Sequence, residues 1–103
     1  MKFCPWYSLP ASGTRAPAEP GVFQVRVGTG LIEYPRGKSA MIHYGRGDDL
    51  REATTAFNAA HPDNEWLCRH VVDVGFERRF QRVLEQFEDR FGAPPSPGRT
   101  TNR

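Results

Sequence analysis

Few side chains in this 103-residue chain could act as soft metal ligands or nucleophiles: Cys4, Cys68, His43, His61 and His70. None of them forms the paired short spacing of a structural zinc site, so no zinc is expected. Two free thiols are expected, because a chain without a secretory signal sits in a reducing compartment. Gly28-Thr29-Gly30 and Gly45-Arg46-Gly47 have the glycines of a phosphate-cradling loop but not the further glycine or lysine of a nucleotide fingerprint, and both read as turns. No arrangement of serine, cysteine and histidine marks a nucleophilic triad. Only Lys2 and Lys38 are lysine and the rest are arginine, whose planar guanidinium suits bidentate contact with phosphate or carboxylate, while genome composition accounts equally for the same bias. Against this, 14 basic residues stand beside 12 acidic ones, and a net charge of +2 is no nucleic-acid signature by itself.

Any such groups must be positioned by one small fold, since a chain of this length has room for a single hydrophobic core. Residues 1–20 carry Pro5, Pro10, Pro17 and Pro20 and are expected to wrap the domain as an extended arm anchored by Phe3, Trp6 and Leu9. Residues 21–94 form the expected domain, and the proline-rich, apolar-poor residues 95–103 a flexible tail. Within the domain, Val22, Phe23, Val25 and Val27 interleave with Gln24 and Arg26, predicting a strand over 22–27. Gly28-Thr29-Gly30 is expected to turn it into a hairpin with 31–34, and Pro35-Arg36-Gly37 to break that hairpin. A short strand is predicted over 40–44, stopped by Gly45 and Gly47, and a further one over 67–74. Asp49 and Glu52 form a capping box opening a helix over 49–60, with Leu50, Ala53, Phe57 and Ala60 on one stripe. A second helix over 77–91 follows from the stripe of Phe80, Val83, Leu84, Phe87 and Phe91, closed by Gly92 and Pro94. The sum is an α+β fold: a small, mainly antiparallel, three-stranded sheet plus an extra hairpin, with helices packed on it.

This order, with Gly21-Val22-Phe23 and then His43-Tyr44-Gly45, resembles the two motifs of the GIY-YIG nuclease superfamily. Leu50 stands where that family has a leucine at the start of its first helix, and the late helix followed by Pro94 matches its closing segment. The resemblance covers roughly residues 19 to 95, with more residues between the triplets than the family usually has. It implies four catalytic slots around a scissile phosphate: a tyrosine in each triplet, an arginine on the first helix, and a metal-holding glutamate on the second. A phenolic oxygen orients or deprotonates the attacking water, an arginine offsets growing phosphate charge, and a carboxylate holds magnesium. Here the first slot is Phe23, which keeps the ring and loses the oxygen. The second is His43, a base near neutral pH or a structural residue, with Tyr44 expected on the opposite face. The arginine slot is Ala53, and Arg51 points elsewhere around the helix. Glu85 has the better distance to Pro94 and Glu88 the better helical face, while alignment on the apolar stripe puts Leu84 in the slot. A surface ion pair of Glu85 with Arg78 or Arg82 is the competing account of that glutamate. Arg36, Lys38 and Arg46 remain, either as phosphate contacts from the loops or as solvated turn residues, with Tyr44 and Arg51 beside them.

Three functional classes follow from the resemblance. The first is a catalytically degenerate domain that binds a partner, DNA or RNA, weakly, with salt dependence and little sequence preference. The second is a protein-interaction module on the same fold. The third is an active nuclease with a rearranged site, which alone of the three needs a cofactor, magnesium or manganese. No apolar run approaches the roughly 20 residues that cross a bilayer, so no membrane partner is expected. The opening MKFCPWYSLP lacks the apolar stretch of a secretory signal, which makes the expected compartment the cytoplasm.

Overall fold

The computed structural model describes residues 2–97 and the backbone of Thr101–Asn102. Its strands are β1 (Tyr7–Ser8), β2 (Gly21–Arg26), β3 (Leu31–Tyr34), β4 (Gly37–Ser39), β5 (Met41–Gly47), β6 (Leu67–Val72) and β7 (Thr101–Asn102). Its α-helices are α1 (Ser12–Arg15), α2 (Leu50–Ala60) and α3 (Phe76–Phe91), with a 3-10 turn at Leu9–Ala11. The main sheet has the order β1-β6-β2-β5 and a smaller sheet has the order β4-β3-β7. All pairings among the described residues are antiparallel, so the α+β architecture holds. No helix of the described residues is long and apolar enough to cross a membrane.

The central strand β2 explains the core. Its residues from Gly21 to Val25 are all buried, because β5 and β6 flank it and elements cover both its faces. Alternation along the strands then divides the side chains between two layers. Phe23 of β2 and His43 of β5 meet Phe57 of α2. The neighbouring Tyr44 meets Phe87 of α3, and Arg46 lies over Phe80 of the same helix. Helices α2 and α3 therefore pack on opposite faces of the main sheet. Two glycines permit the close approach on the α2 face. A Cβ at Gly45 would overlap the Phe23 ring, and one at Gly21 would run into the Val71 carbonyl and Leu50.

The amino-terminal segment differs from the expected extended arm. Proline excludes long helices but tolerates first turns, and Pro10 sits at the start of the 3-10 turn that leads into the single turn of α1. Tyr7, Leu9, Ser12 and Ala16 are buried, so this segment belongs to the core rather than lying over it. It also satisfies the first turn of α2, whose leading N–H groups have no partner within the helix. Leu50 N donates to Glu19 O, Arg51 N to Pro17 O, and Glu52 N to the capping Asp49 Oδ1 at 3.1 Å.

Several boundaries and one pairing also depart from expectation. The segments at 22–27 and 31–34 do not form a hairpin: β3 pairs with β4 in the smaller sheet, while β2 pairs with β5 and β6. Pro35-Arg36 is accordingly the turn of a hairpin rather than its end, and Gly37 opens β4. Gly45 does not stop β5, because close packing against Phe23 requires a bare α-carbon there, and the strand ends at Gly47. Strand β6 ends at Val72, leaving Val74 88% exposed. Of the expected tail, residues 98–100 and 103 lie outside the described residues, while Thr101–Asn102 pair with β3.

Candidate functional site

Strands β2 and β5 and helix α2 bring three of the four slot positions together. Phe23, His43 and Ala53 line one open concavity of about 410 Å³, together with Gly45, Ala56 and Phe57. The local reasons are plain. Phe23 and Gly45 are cross-strand partners, as are Val25 and His43. A register shift between Val25 and Arg26 leaves Ile42 as the extra residue on β5 next to His43. Capping by Asp49 starts α2 where Ala53 faces the sheet.

The chemistry of this concavity is that of rings. His43 stacks on Phe57 with centroids 4.0 Å apart and planes 17° from parallel, and lies 5.6 Å from the Phe23 ring. Phe57 continues to His61 and Trp66, forming an aromatic column along this edge of α2. Burial, reinforced by the neighbouring His61, lowers the His43 pKa to about 4. His43 is therefore neutral at pH 7 and only weakly basic, well below the value that suits a general base at that pH. Ala53 supplies no charge.

Glu85 cannot complete the site. It is exposed on α3, on the other face of the sheet, and accepts a hydrogen bond from Gln81 Nε2 at 3.0 Å. The expected ion pair of Glu85 with Arg78 or Arg82 is absent from the described residues, the amide of Gln81 occupying the carboxylate instead. Glu88 is on the same helix, and its backbone carbonyl accepts from Gly92 N and from the Arg36 guanidinium. No group of three or more histidine, cysteine, aspartate or glutamate side chains among the described residues is arranged to hold a metal ion.

The other expected contacts are dispersed, each in a local structural role. Arg36 sits at the carboxyl end of α3, where its N–H donates to Phe91 O and its side chain to Glu88 O, favourable against the helix dipole. Lys38 lies 4.0 Å from its cross-strand partner Glu33. Arg46 borders the concavity, but its guanidinium pairs with Glu77 at 2.8 Å and lies 4.2 Å from the Phe80 centroid. Arg51 Nε donates to Ala16 O at 2.9 Å, holding the amino-terminal segment to α2. Tyr44 borders the concavity, but its ring packs on Phe87 and burial raises its pKa to about 12.

Two groupings escaped sequence reasoning because each joins segments more than 40 residues apart. The first is a buried polar cluster: Tyr7 Oη lies 2.9 Å and Cys4 Sγ 3.5 Å from His70 Nδ1, with Cys68 Sγ 3.7 Å from Tyr7 Oη. Burial pushes the Cys68 thiol up to about 12 and raises Tyr7 further, so both are neutral and the cysteines are free thiols. The second lies on the α3 face, beyond the helix. Arg69 stacks on Trp6 at 4.4 Å and on Phe3 at 4.9 Å, and Arg26 stacks on the same Trp6 at 5.4 Å. The only available signal was the alternation that puts Gln24 and Arg26 on one side of β2, with nothing to say that Arg69 and the aromatic segment would join them. No known protein family matches the chain, and no curated protein or solved structure is detectably similar to it.

Proposed function

We propose that this chain is a catalytically degenerate GIY-YIG-like domain that binds a partner, nucleic acid first among the candidates, and does not cleave it. The observation that carries the reading is the content of the 410 Å³ concavity, where Phe23, His43 and Ala53 come together. Three slots meeting in one place supports the kinship. Their side chains supply a ring without an oxygen, an imidazole of low basicity and a methyl group, while Glu85 sits across the sheet. Removing one group that stabilises a transition state typically lowers a rate a hundredfold or more, and groups acting as a unit do not survive singly. The prevalence of arginine supports an anionic partner.

The test is incubation of the purified chain with labelled DNA and RNA in magnesium or manganese, beside a variant lacking His43, Glu85 and Glu88. Equal, background-level products are expected. Metal-dependent cleavage that persists through repurification and vanishes in the variant would overturn the reading in favour of a rearranged active nuclease.

A further inference from the structure

Helix α3 covers the β5 side of its face of the main sheet, and on the β6 side that face carries the stack of Phe3, Arg69, Trp6 and Arg26. Four features bear on its use. First, the rings and guanidiniums are all half-buried, so they are packed but still reached by solvent. Second, both arginines are held at Nε: Arg69 donates to Gln24 Oε1 at 2.7 Å and Arg26 to Val27 O at 3.3 Å. Neither side chain makes a further hydrogen bond among the described residues, so the terminal N–H groups stay available. Third, two cations share one indole with no carboxylate at ion-pair distance. The three ion pairs of the described residues are Lys38–Glu33, Arg46–Glu77 and Arg79–Asp73. Fourth, Gln24 is itself buried, which makes its hold on Arg69 a built feature rather than a surface accident.

Like charges held together without a counter-ion call for an anion, and a guanidinium held over a ring and anchored at Nε offers its remaining N–H edge to phosphate oxygens with little further loss of freedom. Aromatic rings beside such edges are what sequence-tolerant binding of unpaired bases uses. We propose that this sheet face, centred on Arg26 and Arg69 and flanked by Phe3 and Trp6, is a binding surface for single-stranded nucleic acid. It rests on the nucleic-acid reading above but lies across the sheet from the concavity that holds Phe23 and His43. The phosphate contacts are few, so affinity is modest. Neutralising two phosphates of a single strand gives a slope of log affinity against log salt of about −1.4.

The experiment is titration of the full chain with a labelled oligothymidylate and with a duplex of equal length, at two salt concentrations. A parallel titration follows tryptophan fluorescence in a Trp66→Phe background, so that Trp6 alone reports. Quenching of Trp6 by the single strand is expected. So are a loss of affinity of about tenfold or more and a flattened salt slope in Arg26→Gln/Arg69→Gln, whose fold is checked by thermal melting. Single-strand affinity and slope unchanged in a folded double variant would overturn this surface and leave the nucleic-acid reading standing. The same holds for a duplex preference that the double variant keeps. No binding of either nucleic acid at low salt would overturn both.

Discussion

The two faces of the main sheet are made by alternate residues of the same strands, yet they have become chemically opposite. On the α2 face, Phe23, His43 and Phe57 form a ring-lined hollow, bordered by Arg46, whose guanidinium is turned to Glu77 and Phe80 of α3. On the α3 face, Arg46, Arg69 and Arg26 each stack on an aromatic ring. The cause is the neighbourhood each face was given. The amino-terminal segment and α2 desolvate the first face, which favours neutral groups, while the second is only partly roofed by α3 and keeps guanidiniums in reach of water. A hollow with the outline of a site and a charged surface without one can thus lie a single sheet's thickness apart.

The comparison breaks most visibly at Phe87, the residue that closes the α3 face. It is buried, meets Tyr44 of the main sheet and Tyr34 of the smaller one, and so joins the two sheets. Truncation to alanine is expected to cost about 3–5 kcal/mol in urea denaturation. A near-neutral result would mean that the helix does not roof this face.

The neutrality of the α2 face is tested by acid. His43 in the folded chain has a pKa of about 4, below the ordinary histidine value of about 6.5. As pH falls the unfolded chain takes up this proton first, so the contribution is fully present above about pH 6.5. It is lost as pH falls towards 4, by up to about 3 kcal/mol. His70, also lowered by burial, adds a loss of the same sign. Denaturation at a series of pH values should therefore show a shallower acid decline in His43→Phe than in the parent chain. Identical profiles would show that His43 is solvated.

The smallest effect belongs to Glu85. Exposed, and bonded among the described residues only to Gln81 one turn earlier, it should tolerate alanine within about 0.5 kcal/mol. A larger loss in thermal melting would reveal a structural partner for this carboxylate and weaken the contrast between a solvated α3 surface and the packed α2 face.

What the sequence determined by itself was local. The change of apolar period marked both long helices to within a residue, and of the expected Asp49–Glu52 box the half in which Asp49 accepts from Glu52 N is formed. Backbone hydrogen bonding and side-chain periodicity depend on neighbours a few residues away, so they are written in short stretches. Only tertiary structure decided which strands pair, and it took the 31–34 segment away from β2. It also folded the proline-rich start into the core, set Arg36 against the end of α3, and sent Glu85 and His43 to opposite sides of one sheet. Those outcomes turn on contacts between residues far apart in the chain, where burial and packing outweigh the propensity of any single segment. For the same reason Phe3, Trp6, Arg26 and Arg69, unremarkable where they stand in the sequence, become a stack only when the first residues of the chain lie along β6.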